Sequence, residues 1–506
     1  MEFLITLACL WLLFPAISFA VSPEILRAVL TADDVHWLAG TVVAFPNTTA
    51  FVNATERRDH FGEPAFGASI TPVNEEDVVT AVKIAVQNVI PFLATGGRHG
   101  SGLGYSKMQG GIAIDLSWFT MFEVHTNDST VTIGGAASVL DFGDQLSEAG
   151  LMLPHGTCSC PGYAGLAVGG GIGRYHGSLG LVTDRVVSAR VVTATGDIVE
   201  TSADSNADLF WGLRGAGANF GIILSATYQA VRKSDHSDGK ALTVDLVYSA
   251  DKTPAYFEHL EALADELPGN VAGMHITRYN ATEDRAEMFV NWVWFGPEEE
   301  GRAFIAQFMD FGPYAVNNYV YIDSSMLNAV AGDGLGQNAM CVRGIYSNTY
   351  ASNLKIYSAS LFQDAFDTLD DFYGEWPDAR STASVLEIFP NQAVINKDRD
   401  FDAYMWRDTT AFISVSAAYS DAGLHNQTVL DAGDQLGAML RASWTEKGGY
   451  RKYGGACYIN YGRGDESLET IYGDKLPRLV ELKKKWDSSD VFAFKNNLPT
   501  NPEELS

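Results

Sequence analysis

Cysteine is scarce in this chain, five in 506 residues, which excludes a disulfide-dense scaffold in which bridges replace a core. Basic residues are scarce too, 34 against 62 acidic for a net charge of −28, and this excludes a nucleic-acid partner, whose phosphates demand a cationic face. The same acidity disfavours anionic membranes and polyanionic substrates and points to a neutral or cationic small molecule. No apolar run reaches the about 20 residues of a membrane helix, so no membrane partner is expected. There is no Gly-x-x-x-x-Gly-Lys-Ser/Thr segment, and the glycine-rich loops lack Gly-x-Gly-x-x-Gly, which leaves neither a P-loop nor a Rossmann site. Repeats and low-complexity segments are absent as well.

What is present begins with an apolar run from Leu4 to Phe14 followed by Ser18-Phe19-Ala20, small residues where a signal peptidase cuts. The reading is a signal peptide over 1–20, without the usual basic start, and a secreted, extracellular product. Five Asn-x-Ser/Thr sequons, at Asn47, Asn53, Asn127, Asn280 and Asn426, agree with that route. A hydrophobic content of 46% over this length supports a large core and more than one domain. The oligomeric expectation is a monomer.

Local patterning predicts mixed α and β structure. Asn74 is a candidate N-cap, Glu75-Glu76-Asp77 suits the positive end of a helix dipole, and Val78, Val79, Ala81, Val82, Ala85 and Val86 recur at helical spacing. Strands are expected over 90–94, 112–116, 129–134, 186–195 and 222–228, with a helix and its exit over 139–153. From about 235 the character changes to strand-like pieces over 242–248 and 287–292. The fold class is α+β: a cofactor domain over 21–234, an α+β substrate domain over 235–450, and a C-terminal segment, 451–506, returning to the first domain.

Two glycine-rich segments carry nucleophiles: Gly96-Gly97-Arg98-His99-Gly100 and His155-Gly156-Thr157-Cys158. Glycine lets backbone approach a flat ring system without Cβ collisions, so the pair suggests a covalently held flavin. Their backbone N–H groups form nests suited to pyrophosphate oxygens. Cys158-Ser159-Cys160 with His155 offers metal-ligating atoms, but no second ligand pair stands at a zinc-like distance, and no metal is expected.

After Cys158 come Gly162, Gly165, the run Gly169-Gly170-Gly171-Ile172-Gly173 and Gly180-Leu181; further on stand Asp208 to Gly221 and Tyr458-Ile459-Asn460-Tyr461. On these residues the chain resembles the berberine-bridge-enzyme-like FAD-linked oxidoreductases of the vanillyl-alcohol-oxidase group, over nearly its whole length. The resemblance implies a PCMH-type FAD-binding domain beneath an antiparallel sheet of the substrate domain. It implies FAD bonded at its 8α-methyl by His99 and at C6 by Cys158, with Gly96, Gly97, Arg98, Gly100, Gly162, Gly165, Gly170 and Gly173 around it. Arg98 stands where relatives carry glycine or another small residue, which would put its charge near the flavin or His99. With Cys158 on the flavin, at most one disulfide remains; Cys341 with Cys457 is the expected pair and Cys160 a bystander. Asp487-Ser488 replaces the family's frequent Asp-Pro at a helix exit.

Tyr461 is the implied catalytic base, taking a proton from a substrate hydroxyl. A free tyrosine, with a pKa near about 10, is a poor base at neutral pH and needs a cationic neighbour or a hydrogen-bonded carboxylate. Tyr175, His176 and Tyr458 are candidates for the substrate pocket. The function read from this is a secreted FAD-dependent oxidase that oxidises an alcohol-like centre of a small secondary metabolite with O2, giving H2O2. The alternatives are an oligosaccharide oxidase acting at the anomeric carbon and a non-catalytic binding glycoprotein that kept the fold.

Overall fold

The computed structural model describes residues 21–505; the signal-peptide reading over 1–20 lies outside the described residues. The chain folds as an α+β protein with three large β-sheets and one two-stranded ribbon, Leu151–Met152 with Val231–Arg232. The first sheet has four strands in the order Val42–Ala44, Ala65–Thr71, Gln109–Asp115, Phe92–Thr95, the last three parallel. Helix Glu75–Gln87 is the crossover between two of these strands. Asn74 caps it, its Oδ1 accepting from the Asp77 amide at 3.0 Å, and Val78, Ala81, Val82 and Ala85 sink into the sheet. The strand Phe92–Thr95 ends directly in the loop that carries His99.

The second sheet is antiparallel, in the order Phe122–His125, Thr130–Gly134, Ile222–Gln229, Val186–Val192, Ile198–Ser202. The third has seven antiparallel strands, all from 240–417, ordered Ala315–Asp323, Lys240–Ser249, Arg285–Trp294, Val271–Asn280, Ala383–Ile388, Ala411–Ala417, Asn348–Leu354.

Alternation along the strands decides what this third sheet shows to each side. Leu242, Val244, Leu246, Met288, Val290, Trp292, Leu386 and Ile388 pack with helices Thr253–Ala262, Glu298–Met309, Ala359–Glu375 and Gln427–Lys447. The intervening positions, which include Asp245, Asn291 and Glu387, therefore face the opposite way, and all three are buried. A charged group is rarely buried without a partner, so the polar groups of this face must find hydrogen bonds there.

The C-terminal segment returns to the first domain. Helix Leu476–Trp486 places Leu476, Leu479, Val480 and Leu482 in the same core as Val131, Tyr163 and Leu213. Its exit is closed by Asp487, which accepts from Lys483 Nζ at 2.6 Å and from the Phe492 amide at 2.9 Å. Asp487 thus holds the turn through its side chain, and Ser488 in place of proline leaves that exit intact.

Candidate active site

A cavity of about 380 Å³ runs between the two sheets of the first domain and the returning C-terminal segment. That is within the range of small-molecule and cofactor sites. Apolar walls come from Phe92, Leu116, Ile222, Ile223 and Phe492, and the two glycine loops form one end. The loops touch backbone to backbone: a Cβ on Gly97 would stand 2.2 Å from the Gly162 nitrogen. Of the sequence candidates, Gly96, Gly97, Arg98, His99, Gly100, Cys158, Gly162, Gly165, Tyr458 and Tyr461 line this cavity.

Four others do not. A Cβ on Gly170 would strike the Tyr404 ring at 2.6 Å and one on Gly173 the His155 carbonyl at 2.0 Å, so both glycines serve close packing. Tyr175 is buried between the rings of His155 and Phe295, and His176 against Phe389 and Phe412. Adjacency to the glycine run does not set side-chain direction, and both rings turn into the core. The run does orient Tyr458, whose hydroxyl accepts from the amides of Gly171 at 3.2 Å and Ile172 at 3.4 Å and from Asn460 Nδ2 at 2.8 Å.

His99 Nε2 and Cys158 Sγ converge to 3.8 Å. Burial, helped by the nearby Arg58 charge, pulls the His99 imidazole down to about 4, leaving it neutral with a nucleophilic nitrogen at pH 7. Burial pushes the Cys158 thiol up. Arg98 adopts φ +55°, the left-handed conformation that a glycine occupies without cost. Its guanidinium, however, leaves the cavity for the Asn53 carbonyl and lies 4.0 Å from Asp115, so its charge is spent away from His99.

Cys160 is bridged to Cys341, which corrects both the bystander reading and the expected Cys341–Cys457 pair; Cys457 is free and buried. The bridge fastens the loop over 331–347 across the His99 and Cys158 end. The Ser159 amide donates to Gly336 O at 3.0 Å, Arg58 Nε donates to Met340 O at 2.8 Å, and Asp245 accepts from the amides of Gly332 and Asp333 at 2.9 and 3.0 Å.

The group that sequence reasoning missed is Glu387. Its Oε2 accepts from the Tyr461 hydroxyl at 2.8 Å, and Thr157 Oγ1 lies 3.5 Å from Oε1. Burial raises Glu387 to about 7, against the opposing pull of the Tyr461 hydrogen bond and the Arg174 charge. Burial and the Glu387 charge push Tyr461 well above its usual value. Tyr461 therefore does not ionise alone at neutral pH; it has the hydrogen-bonded carboxylate that a tyrosine needs to pass a proton on. The one sequence signal was a lone carboxylate inside the apolar strand Ala383–Ile388.

The lining also suits a dianionic nucleotide. Arg57 is buried with Nη1 unpartnered while Nη2 donates to Gly100 O at 2.5 Å. Lys495 Nζ donates to Ser101 O and Gly462 O at 3.1 and 2.8 Å; burial lowers it to about 8, so it stays mostly charged at pH 7. A buried and a half-buried cation beside glycine amides, in so acidic a protein, fit a pyrophosphate.

The cavity, its glycine loops and the carboxylate-backed tyrosine define the class: an FAD-linked oxidoreductase. Residues 67–202 match the family model for an FAD binding domain, and residues 457–499 the model described as berberine and berberine like. The FAD-linked oxidoreductase fogF of Aspergillus ruber is 39% identical over 98% of both chains. OXR1 of Pyricularia oryzae, named likewise, is 39% identical over 92% of this chain and 90% of its own. Among solved structures, wild-type BBE-like 1 of Physcomitrella patens superposes with a TM-score of 0.78 at 19% identity, covering 91% of this chain and 97% of that one. A glucooligosaccharide oxidase of Acremonium strictum gives 0.77 at 20% identity, covering 91% and 96%. The chain belongs to the berberine-bridge-enzyme-like FAD-linked oxidoreductases.

Proposed function

We propose that this protein is a secreted oxidase whose FAD is bonded twice, through His99 and Cys158, and that it oxidises an alcohol centre of a small specialised metabolite. The observation that carries the reading is the meeting in one cavity of His99, Cys158 and the Tyr461–Glu387 pair. FAD, when bound, accepts the hydride and delivers its electrons to dioxygen as hydrogen peroxide. Arg57, Lys495 and the glycine amides would hold its pyrophosphate. Tyr461 Oη takes the substrate hydroxyl proton as its own proton moves to Glu387 Oε2, so a tyrosine of high pKa acts as base without becoming a free phenolate. Glu387 must be ionised for this, and its value of about 7 leaves a useful fraction ionised at neutral pH.

Covalent attachment draws further support from the Acremonium oxidase, whose FAD is described as 6-S-cysteinyl, 8α-N1-histidyl. The metabolite reading rests on the resemblance to fungal FAD-linked oxidoreductases, which reach 39% identity, whereas the oligosaccharide oxidases among the solved structures stand near 20%. Secretion is supported by the Cys160–Cys341 bridge, which belongs to an oxidising compartment, and by four exposed sequons. Asn280 is half-buried, its Nδ2 donating to Glu287 at 2.7 Å. A peroxide assay across aromatic and aliphatic alcohols and cello- and chito-oligosaccharides tests the reading. Turnover of alcohols supports it; turnover of sugars alone replaces it with the carbohydrate alternative, and no turnover with bound flavin with the binding glycoprotein.

A further inference from the structure

The buried polar groups on the third sheet stand in one row. Pairing across four adjacent strands sets Asp245 opposite Asn291, Asn291 opposite Met274, and Met274 opposite Glu387, so all four project from the same face. One cation reaches that row: Arg174, 4% exposed, which follows Gly173 directly in the chain. Its Nη2 donates to Asn291 Oδ1 at 3.4 Å and its Nη1 to Asn328 Oδ1 at 2.9 Å. Asn328 in turn donates through Nδ2 to Gly156 O at 3.1 Å and to Ser159 Oγ at 3.0 Å. The guanidinium is thereby tied both to the sheet and to the loop whose Thr157 lies against Glu387.

We propose that Arg174 is a positioning residue for the oxidation: a buried cation shared between Asp245 and Glu387, it holds Glu387 ready to receive the proton that Tyr461 passes on. The proposal rests on the proton-accepting role given to Glu387 above. Asp245 only accepts, as an ionised carboxylate does: from Asn291 Nδ2 at 2.8 Å, from Asn318 Nδ2 at 2.7 Å, and from the amides of Gly332 and Asp333 at 2.9 and 3.0 Å. Among the described residues two donors meet Glu387, Tyr461 Oη and Thr157 Oγ1, so Glu387 is the carboxylate free to exchange a proton. With one arginine for two carboxylates, the row carries a net negative charge while Glu387 is ionised and becomes neutral when the proton arrives. A net charge is costly in a core, so taking the proton relieves the row, while Arg174 keeps that same cost from protonating Glu387 at rest. Strands about 4.8 Å apart set Asn291 and Glu387 about 10 Å apart at Cα. At an effective dielectric of about 20, a unit charge about 10 Å away moves a titration by about one pH unit.

The other groups around Glu387 bring no competing charge at neutral pH. The neighbouring strands set Met274 and Phe412 directly opposite it. The C-terminal segment brings Tyr461, which burial pushes well above its usual value, and Tyr458, which burial pushes up to about 12. The cysteine loop brings the Thr157 hydroxyl, the Cys158 thiol, which burial pushes up, and His155, which burial pulls down to about 4.

The test uses the flavin-loaded full chain and two readouts. Infrared spectra taken against pH follow the carbonyl stretch of protonated Glu387, identified as the band absent from Glu387→Gln, and anaerobic stopped flow follows flavin reduction at the same pH values. Arg174→Gln keeps an amide donor and removes the charge, so the infrared midpoint should rise by about one pH unit. Its reduction rate should then lie about fivefold below the parent's at pH 7 and return toward it at about pH 9, a recovery that lost packing would not give. Arg174→Lys, which restores the charge, should keep the parent's midpoint. Asp245→Asn leaves Arg174 in place and removes the second anion, so the midpoint should fall; this variant decides the question if Arg174→Gln does not hold flavin. A midpoint unmoved in Arg174→Gln or in Asp245→Asn, or moved as far by lysine as by glutamine, would overturn the proposal and leave Arg174 a packing residue. Midpoints that shift as stated while the reduction rate ignores them would leave the hold of Arg174 on Glu387 standing and overturn the role of Glu387 as proton acceptor, so the two readings fail separately.

Discussion

Replacing Glu387 by glutamine isolates the proton-accepting role from the structural one. Glutamine keeps the size of the side chain and an oxygen to accept from the Tyr461 hydroxyl, now at 2.8 Å from Oε2, but an amide cannot take the proton that Tyr461 passes on. General-base contributions run about 10²- to 10⁴-fold, equivalent to about 3–5 kcal/mol of barrier at 1.36 kcal/mol per tenfold. The rate of flavin reduction in anaerobic stopped flow, with the best substrate from the alcohol panel, should fall by that factor, while reoxidation by oxygen stays nearly unchanged. The pH profile carries the second half of the argument. Because burial raises Glu387 to about 7, the competent ionised form accumulates as pH rises, so the parent's reduction rate should climb between about pH 6 and about pH 8 and then level off. Glu387→Gln should lose that limb. A variant that reduces its flavin at the parent's rate and keeps the same limb would show that Glu387 is a packing residue and that the proton leaves by another route.

Tyr461→Phe should retain flavin and lower the reduction rate by about 10²- to 10⁴-fold with little change in substrate Kd, measured in the same experiment. Arg98→Gly should be more stable than Arg98→Ala by about 1–2 kcal/mol in denaturant unfolding, since both lose the guanidinium and only alanine is forced into the left-handed φ of +55°; equal stabilities would contradict that backbone conformation. Cys160→Ser and Cys341→Ser should each lower stability, by up to about 5 kcal/mol for so long a closed loop, and non-reducing peptide mapping of the parent should recover Cys160 joined to Cys341 and Cys457 as a thiol.

What the sequence made legible was local. Asn74 and the acidic turn after it announce helix Glu75–Gln87 because a cap and a dipole act within one turn. His99 and Cys158 could be singled out because glycine neighbours mark close backbone approach, and both line the cavity. The illegible parts depend on contacts between distant segments. Glu387 acquires its role only by facing Tyr461, 74 residues on, across the seam between the third sheet and the C-terminal segment. Cys160 finds Cys341 across 181 residues, through a loop whose path no spacing reveals. Gly170, Gly173, Tyr175 and His176 show the converse: a glycine run marks tight packing of some kind, and whether the partner is a cofactor or the core is decided by the rest of the chain.

The central claim, that His99 and Cys158 each bond the flavin, is tested most directly by denaturing the purified protein in acid and following the yellow colour. Flavin should stay in the pellet of the parent and of His99→Ala and Cys158→Ala singly, with peptide mapping showing the one remaining link, and should be released from the double variant. Free FAD in the supernatant of the parent, above a colourless pellet, would contradict it.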